Sequence, residues 1–173
     1  MVAFDTGPGN ALLDDWMTLR ADKTYDPGGE TALAGTADPA LVDRLMAHPY
    51  FAEAPPKSLD RNAFHAGDLA GHSTEDGAAT LAAFTARSIL AAGRHYPAAP
   101  TAWLVTGGGR HNAAMMTALA EGAGVPVLPI EEAGWNGDAL EAQAFAWLAV
   151  RSLVGLPLSL PPTTGVPEPL TGG

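Results

Sequence analysis

Three consecutive glycines, Gly107, Gly108 and Gly109, constrain this chain more than any other feature. Glycine reaches backbone conformations closed to other residues, and three in a row cost conformational entropy that an ordinary connection avoids. Residues 102–106 before them form a short apolar run. Residues from Asn112 to Leu119 after them have helical spacing, with Gly122 as the stop. Strand, glycine turn and helix in that order predict an α/β unit. The turn is either a tight connection only, or a place where backbone N–H groups at a helix start meet a phosphate or nucleotide.

The same grammar recurs along the chain. Residues 1–5 read as the end of a strand and 6–10 as a turn. Leu12, Leu13, Trp16, Met17 and Arg20 then fall at helical spacing behind Asn10 as N-cap. Residues 21–35 read as a polar loop. Asp38-Pro39 opens a short helix through Leu41, Val42, Leu45 and Met46. Ser73 and Thr74 ahead of Glu75-Asp76 open a longer one that stops at Gly93. Residues 125–130 predict a second strand. Residues 138–154 predict a helix that is apolar on nearly every side, and so is expected to be buried between layers. The tail at 156–173, rich in proline and glycine, is expected to be non-helical and to run over the surface. Met115 and Met116 are expected in the core.

Charge narrows the partners. Nine Lys and Arg stand against 19 Asp and Glu, a net charge of −10. Without a basic cluster the chain is a poor partner for nucleic acid or an anionic membrane. It contains no cysteine, which excludes disulfides, thiolate catalysis and Cys-ligated zinc. His48, His65, His72 and His95 lack metal-ligand spacing, so no metal site is expected from them. The longest apolar run, 144–150, is too short to span a bilayer and ends at Arg151. Asp5 and Gly7 interrupt any signal-peptide core, and a cytoplasmic location is the expectation.

Further motifs carry candidate chemistry. In Phe4-Asp5-Thr6-Gly7-Pro8-Gly9-Asn10, an acid precedes a glycine turn into a helix. It either caps that helix as an Asx-turn, or activates a hydroxyl or water beside a phosphate. In Trp135-Asn136-Gly137-Asp138-Ala139-Leu140-Glu141, the two acids share one helix face. They either serve the helix dipole, or Glu141, entering an apolar helix, finds a sugar hydroxyl as partner. Lys57 and Arg61 either hold an anion or are solvated.

Taken together, these segments resemble the anhydro-N-acetylmuramic acid kinase family. The ordered match runs through FDTGPGN at 4–10, YDPGG at 25–29, HPYF at 48–51, PPKS at 55–58, TGGGRHN at 106–112 and GDALEAQAFAWLAVR at 137–151. It covers the whole chain. The resemblance implies an actin-like ATPase (ribonuclease H-like) α/β domain with a mixed sheet flanked by helices, one half of a two-domain kinase. It implies an anhydro-amino-sugar substrate, with ATP and Mg2+. Asp5 would be the catalytic acid–base group. Gly107, Gly108, Gly109 and Asn112 would bind ATP. Gly7, Pro8, Asn10 and Glu141 would bind the sugar.

Two departures go with it. The family's N-terminal half has no counterpart among these residues, so residues 1–173 alone are expected to lack kinase activity. They would serve instead as a carboxy-terminal domain, or as a non-catalytic module that binds nucleotide, sugar or a partner subunit, with a homodimer as one such assembly. In addition, Leu59-Asp60-Arg61-Asn62 stands where the family has Thr-Gly-Arg-Glu, keeping only Arg61. The kinase reading requires Asp5 and the glycine turn at 107–109 to line one cleft.

Overall fold

Ser73 begins the helix around which the rest is arranged. Its Oγ accepts the Asp76 N–H at 3.0 Å, and Glu75 and Asp76 place negative charge in the first turn of α4 (Thr74–Ala91). This is a computed structural model, and it describes residues 2–60 and 63–172. Arg61 lies outside the described residues.

Small residues on α4 let its neighbours come close. It packs against α1 (Ala11–Ala21), α2 (Glu30–Ala34), α3 (Pro39–Met46) and α5 (Ala113–Ala123). A Cβ on Gly77 would run into the indole of Trp16, which is 1% exposed and donates its Nε1–H to the Thr74 carbonyl at 2.9 Å. The core is continuous from Leu12 to Met115 through Trp16, Leu41, Phe51, Leu81 and Phe84. Leu12, Leu13, Trp16 and Met17 form the buried stripe of α1 that their spacing predicts. Asn10 does stand at its N-cap position, but in a helical conformation and with no side-chain capping bond.

α3 starts as its sequence predicts: Asp38 Oδ1 accepts from Ala40 N at 2.9 Å and Leu41 N at 3.2 Å, with Pro39 in the first turn. Residues 21–35 depart from the predicted loop. A turn of 3-10 helix at Pro27–Gly29 leads into α2, where Asp26 accepts the N–H groups of Thr31 at 2.9 Å and Ala32 at 3.0 Å. An aspartate before proline opens a helix here as it does at Asp38. Gly122 is inside α5, against Leu90, and Gly124 with φ 67° ends the helix. Met115 is buried and Met116 half-buried.

Strand β1 (Trp103–Val105) pairs in parallel with β2 (Val127–Pro129), Trp103 opposite Val127, with α5 as the crossover. This small parallel sheet, flanked by helices, makes the architecture α/β. Among the described residues the sheet is parallel and two-stranded rather than mixed, and an isolated antiparallel bridge joins Ser159 to Leu170. Residues 2–5 are not in a strand: their backbone link is Asp5 N to the Lys57 carbonyl, 3.3 Å, and one bond does not make a ladder.

The larger correction concerns α6 (Leu140–Leu153). It has no buried residue; Phe145 is 65% exposed, Trp147 59% and Leu153 86%. Its apolar composition calls for a covering layer, and the described residues supply none. The tail also departs from expectation, since Pro161–Thr164 form a short helix, α7, with prolines in the first turn where no N–H is needed. It lies on the surface, with Gly165 near Pro56. Among the described residues, no helix is long and apolar enough to cross a membrane.

Candidate functional site

The carboxyl end of β1 delivers the chain into the glycine turn, the position where parallel α/β sheets leave a ligand crevice. Gly107 has φ 74° and ψ −175°, a conformation essentially reserved for glycine. Gly108–His111 form a 3-10 turn, and Asn112 then caps α5, its Oδ1 accepting the Met115 N–H at 3.0 Å.

The segment at 4–10 reaches this turn from the other side. Gly7 passes close to Ser88 of α4, and the Gly9 carbonyl accepts from Thr85 Oγ1 at 2.9 Å. Asn10 is thereby set against the glycines. A Cβ built on Gly109 would lie 3.4 Å from Asn10 Oδ1, and one on Gly108 would lie 3.7 Å from Asn10 Nδ2.

Two cavities flank the turn. One, of about 580 Å³, is lined by Asn10, Tyr25, Asp26, Gly108, His111 and Asn112 among others. The second, of about 570 Å³, is lined by Thr106, Gly107, Gly108, Gly137, Asp138 and Glu141 among others. Gly108 belongs to both. The structure thus brings together five of the residues expected from the sequence to bind ATP or the sugar: Asn10 and Asn112 on one side, Gly107 and Glu141 on the other, and Gly108 between them. Gly109 faces Asn10 and the sulfur of Met115.

Asp5, Gly7 and Pro8 are not among the residues lining these two cavities. The Pro8 carbonyl accepts from Ala11 N at the start of α1. Asp5 is exposed; its Oδ2 accepts the Leu59 N–H at 2.8 Å, and its carbonyl accepts the Tyr50 hydroxyl at 2.5 Å. Burial, together with the charges of Asp5 and Glu53, pushes that tyrosine up to about 12. Lys57 is committed locally: Nζ donates to the Tyr50 carbonyl at 2.9 Å and sits 4.3 Å from that ring's centre. Burial draws its ammonium below the ordinary lysine value.

Arg110 is the residue that the sequence reading passed over. Its side chain is 3% exposed. Nη1 donates to the Gly107 carbonyl at 2.9 Å, Nε to Glu131 Oε1 at 3.0 Å and Nη2 to Asp138 Oδ1 at 2.6 Å. The Arg110 hydrogen bond and charge hold Asp138 below the usual carboxylate range. Glu131 is lowered as well, first by its own backbone N–H and then by the backbone N–H of Gly137 and the guanidinium of Arg110, with desolvation opposing them. The available signal was a lone arginine directly after three glycines, followed by acids at 131 and 138. Tyr25 and Asp26 were legible only as part of the YDPGG segment.

Neither cavity has the ligand set of a built-in metal site: among the described residues no three His, Cys, Asp or Glu gather to hold an ion. The Asn10 and Asn112 amides beside Gly108 suit a polar ligand on the first side, and the carboxylate of Glu141 suits hydroxyl donors on the second.

The model of the family described as anhydro-N-acetylmuramic acid kinase matches residues 1–173. Curated relatives with that same name agree in length of match. The one from Rhodospirillum rubrum is 58% identical over 172 residues, which are 99% of this chain and 46% of the relative. Those from Acidiphilium cryptum and Paramagnetospirillum magneticum are 56% and 54% identical over 176 residues each, covering 100% of this chain and 49% and 50% of theirs. The chain spans about half the length of the curated relatives it matches.

Proposed function

Since the chain belongs to the anhydro-N-acetylmuramic acid kinase family, we propose that it forms one wall of the active cleft of an enzyme that opens 1,6-anhydro-N-acetylmuramic acid and phosphorylates O6. The product is N-acetylmuramic acid 6-phosphate, in cytoplasmic recycling of the cell wall. The fold of the whole enzyme is the actin-like kind, two α/β domains about a cleft.

The observation that carries this reading is the packing of Asn10 on Gly108 and Gly109. It joins the first glycine motif to the second in one cavity. In this reading the glycine turn and Asn112 hold the nucleotide, while Gly7, Pro8, Asn10 and Glu141 hold the sugar. Asp5 takes the proton from a water as that water's oxygen bonds to the anomeric carbon and the C1–O6 bond breaks. ATP, with Mg2+ on its phosphates, supplies the γ-phosphoryl group that O6 accepts. Asp5 stands outside the two cavities in residues 1–173, and its water is proposed to lie in the gap closed by the other half of the protein. The exposed face of α6 is proposed to pack on that half.

A second reading is a binding module without turnover, and the exposure of Phe145, Trp147 and Leu153 favours it for the isolated chain. The deciding experiment assays the full-length protein, the 173-residue chain and the full-length Asp5→Asn variant with ATP and the anhydro sugar. The kinase reading expects turnover in the first and a loss of roughly 10²–10⁴-fold in the variant. Equal rates in the full-length protein and its variant would sink the assignment of Asp5.

A further inference from the structure

Arg110 occupies the junction where the carboxyl ends of both strands meet. β1 leads to the Gly107 carbonyl and β2 leads to Glu131, and the guanidinium binds both. Its third contact, Asp138, lies two residues before α6, in the turn that carries Gly137. That turn is tied in twice more: Gly137 N donates to the same Glu131 oxygen at 3.2 Å, and the Gly137 carbonyl accepts from Thr106 Oγ1 at 3.3 Å. The fit is close. A Cβ on Gly137 would lie 2.6 Å from Arg110 Nε and 2.8 Å from Glu131 Oε1.

The arrangement is unequal in burial, with an arginine side chain 3% exposed between carboxylates that are 45% and 77% exposed. A surface ion pair would leave all three groups in water and contribute little. Here the fork of the guanidinium is under the turn, and its planar geometry serves three acceptors at once. A lysine has neither the fork nor the reach to all three.

We infer that Arg110 is a positioning residue: it fixes the glycine turn at 107–109 against the turn at 135–138, and so sets the shape of the wall between the two cavities. In terms of the function proposed above, on which this inference rests, it aligns the nucleotide side with the sugar side without touching either ligand.

The test uses the full-length protein and three variants, Arg110→Lys, Asp138→Asn and Glu131→Gln. The last two alter exposed partners and spare the core, so they remain informative if the arginine variant folds poorly. Amide nitrogen–proton spectra of the unliganded proteins report the turn, and titration with Mg-ATP and with the anhydro sugar reports the cavities. The expected result is displaced or broadened signals of Gly107, Gly108 and Gly137, with those of Gly77 and the Trp16 indole unmoved. Affinity for Mg-ATP falls about tenfold in Arg110→Lys and less in the other two. Unchanged glycine signals in all three variants, or wild-type affinity in Arg110→Lys, would overturn the inference. If the unaltered protein binds neither ligand, the functional reading loses its support, and the glycine signals alone decide the role of Arg110.

Discussion

Asn10 Oδ1 lies 3.4 Å from the point where Gly109 would carry a Cβ. The amide therefore occupies the space beside the glycine turn without bonding to its own helix, since Asn10 makes no side-chain capping bond to α1. Its removal should cost the fold little. Asn10→Ala is expected to lower stability by less than about 1 kcal/mol yet weaken binding of the anhydro sugar about tenfold. Thermal melting and calorimetric titration with the anhydro sugar separate the two effects. A variant that melts normally and binds normally would remove Asn10 from the site.

Gly107 carries the backbone cost of the same turn. At φ 74° and ψ −175° an L side chain is strained whatever space surrounds it. Gly107→Ala should lose about 1–3 kcal/mol, read as a lower midpoint in urea. The neighbouring Gly108 has no positive φ, and a Cβ there meets Asn10 only at 3.7 Å. Gly108→Ala should therefore be the milder change.

Gly77 is required for a different reason. Its φ is ordinary, but the indole of Trp16 fills the place of a side chain. Gly77→Ala overpacks the α1–α4 contact and should cost about 1–3 kcal/mol, or roughly 2–4 °C of Tm for each kcal/mol at this chain length. Tryptophan fluorescence should shift with it.

How far the sequence foretold these elements follows from what each signal depends on. The starts of α3 and α4 were legible because Asp38 and Ser73 act on N–H groups two or three residues away. The glycine turn was legible because its conformation has few alternative occupants. Arg110 was not, because its partners lie 21 and 28 residues further on and only the sheet brings them back. The burial of α6 was misjudged because periodicity reports the composition of a face and says nothing of what covers it. Residues 1–5 read as a strand because they are apolar up to Asp5, but a strand exists only with a neighbour.

Acid should loosen the α3 end of the molecule. Asp38 is held below its ordinary value of 3.8 first by the Leu41 N–H; desolvation opposes it, and His72, the Ala40 N–H and the charge of His72 add to the lowering. A carboxylate lowered in the folded state adds stability that is complete above its unfolded value and is lost as pH falls through the folded one. Asp76, lowered by the Thr36 N–H and the Ser73 hydroxyl, acts in the same sense. Tm is therefore expected to drop from about pH 5 downward. Asp38→Asn keeps an acceptor for the cap but no titrating charge, and should flatten part of that slope.

The exposed face of α6 predicts how the chain behaves alone. Phe145, Trp147, Val150 and Leu153 are each more than half exposed. An environment-sensitive apolar dye should bind the 173-residue chain under native conditions, and Phe145→Ser with Leu153→Ser should reduce the signal. Because both side chains are exposed, the double change should alter stability by under about 1 kcal/mol. No fall in dye fluorescence would mean that this face is not the adhesive one.

Gly108 forms part of the lining of two chambers, and a partition cannot shift towards one without receding from the other. Whatever molecule settles on one side and displaces that residue will alter the reception of a guest on the far side. Thermodynamic reciprocity returns the same factor in the opposite direction. Cooperation between two occupants would then need no moving domain, only a thin divider with glycine at its centre.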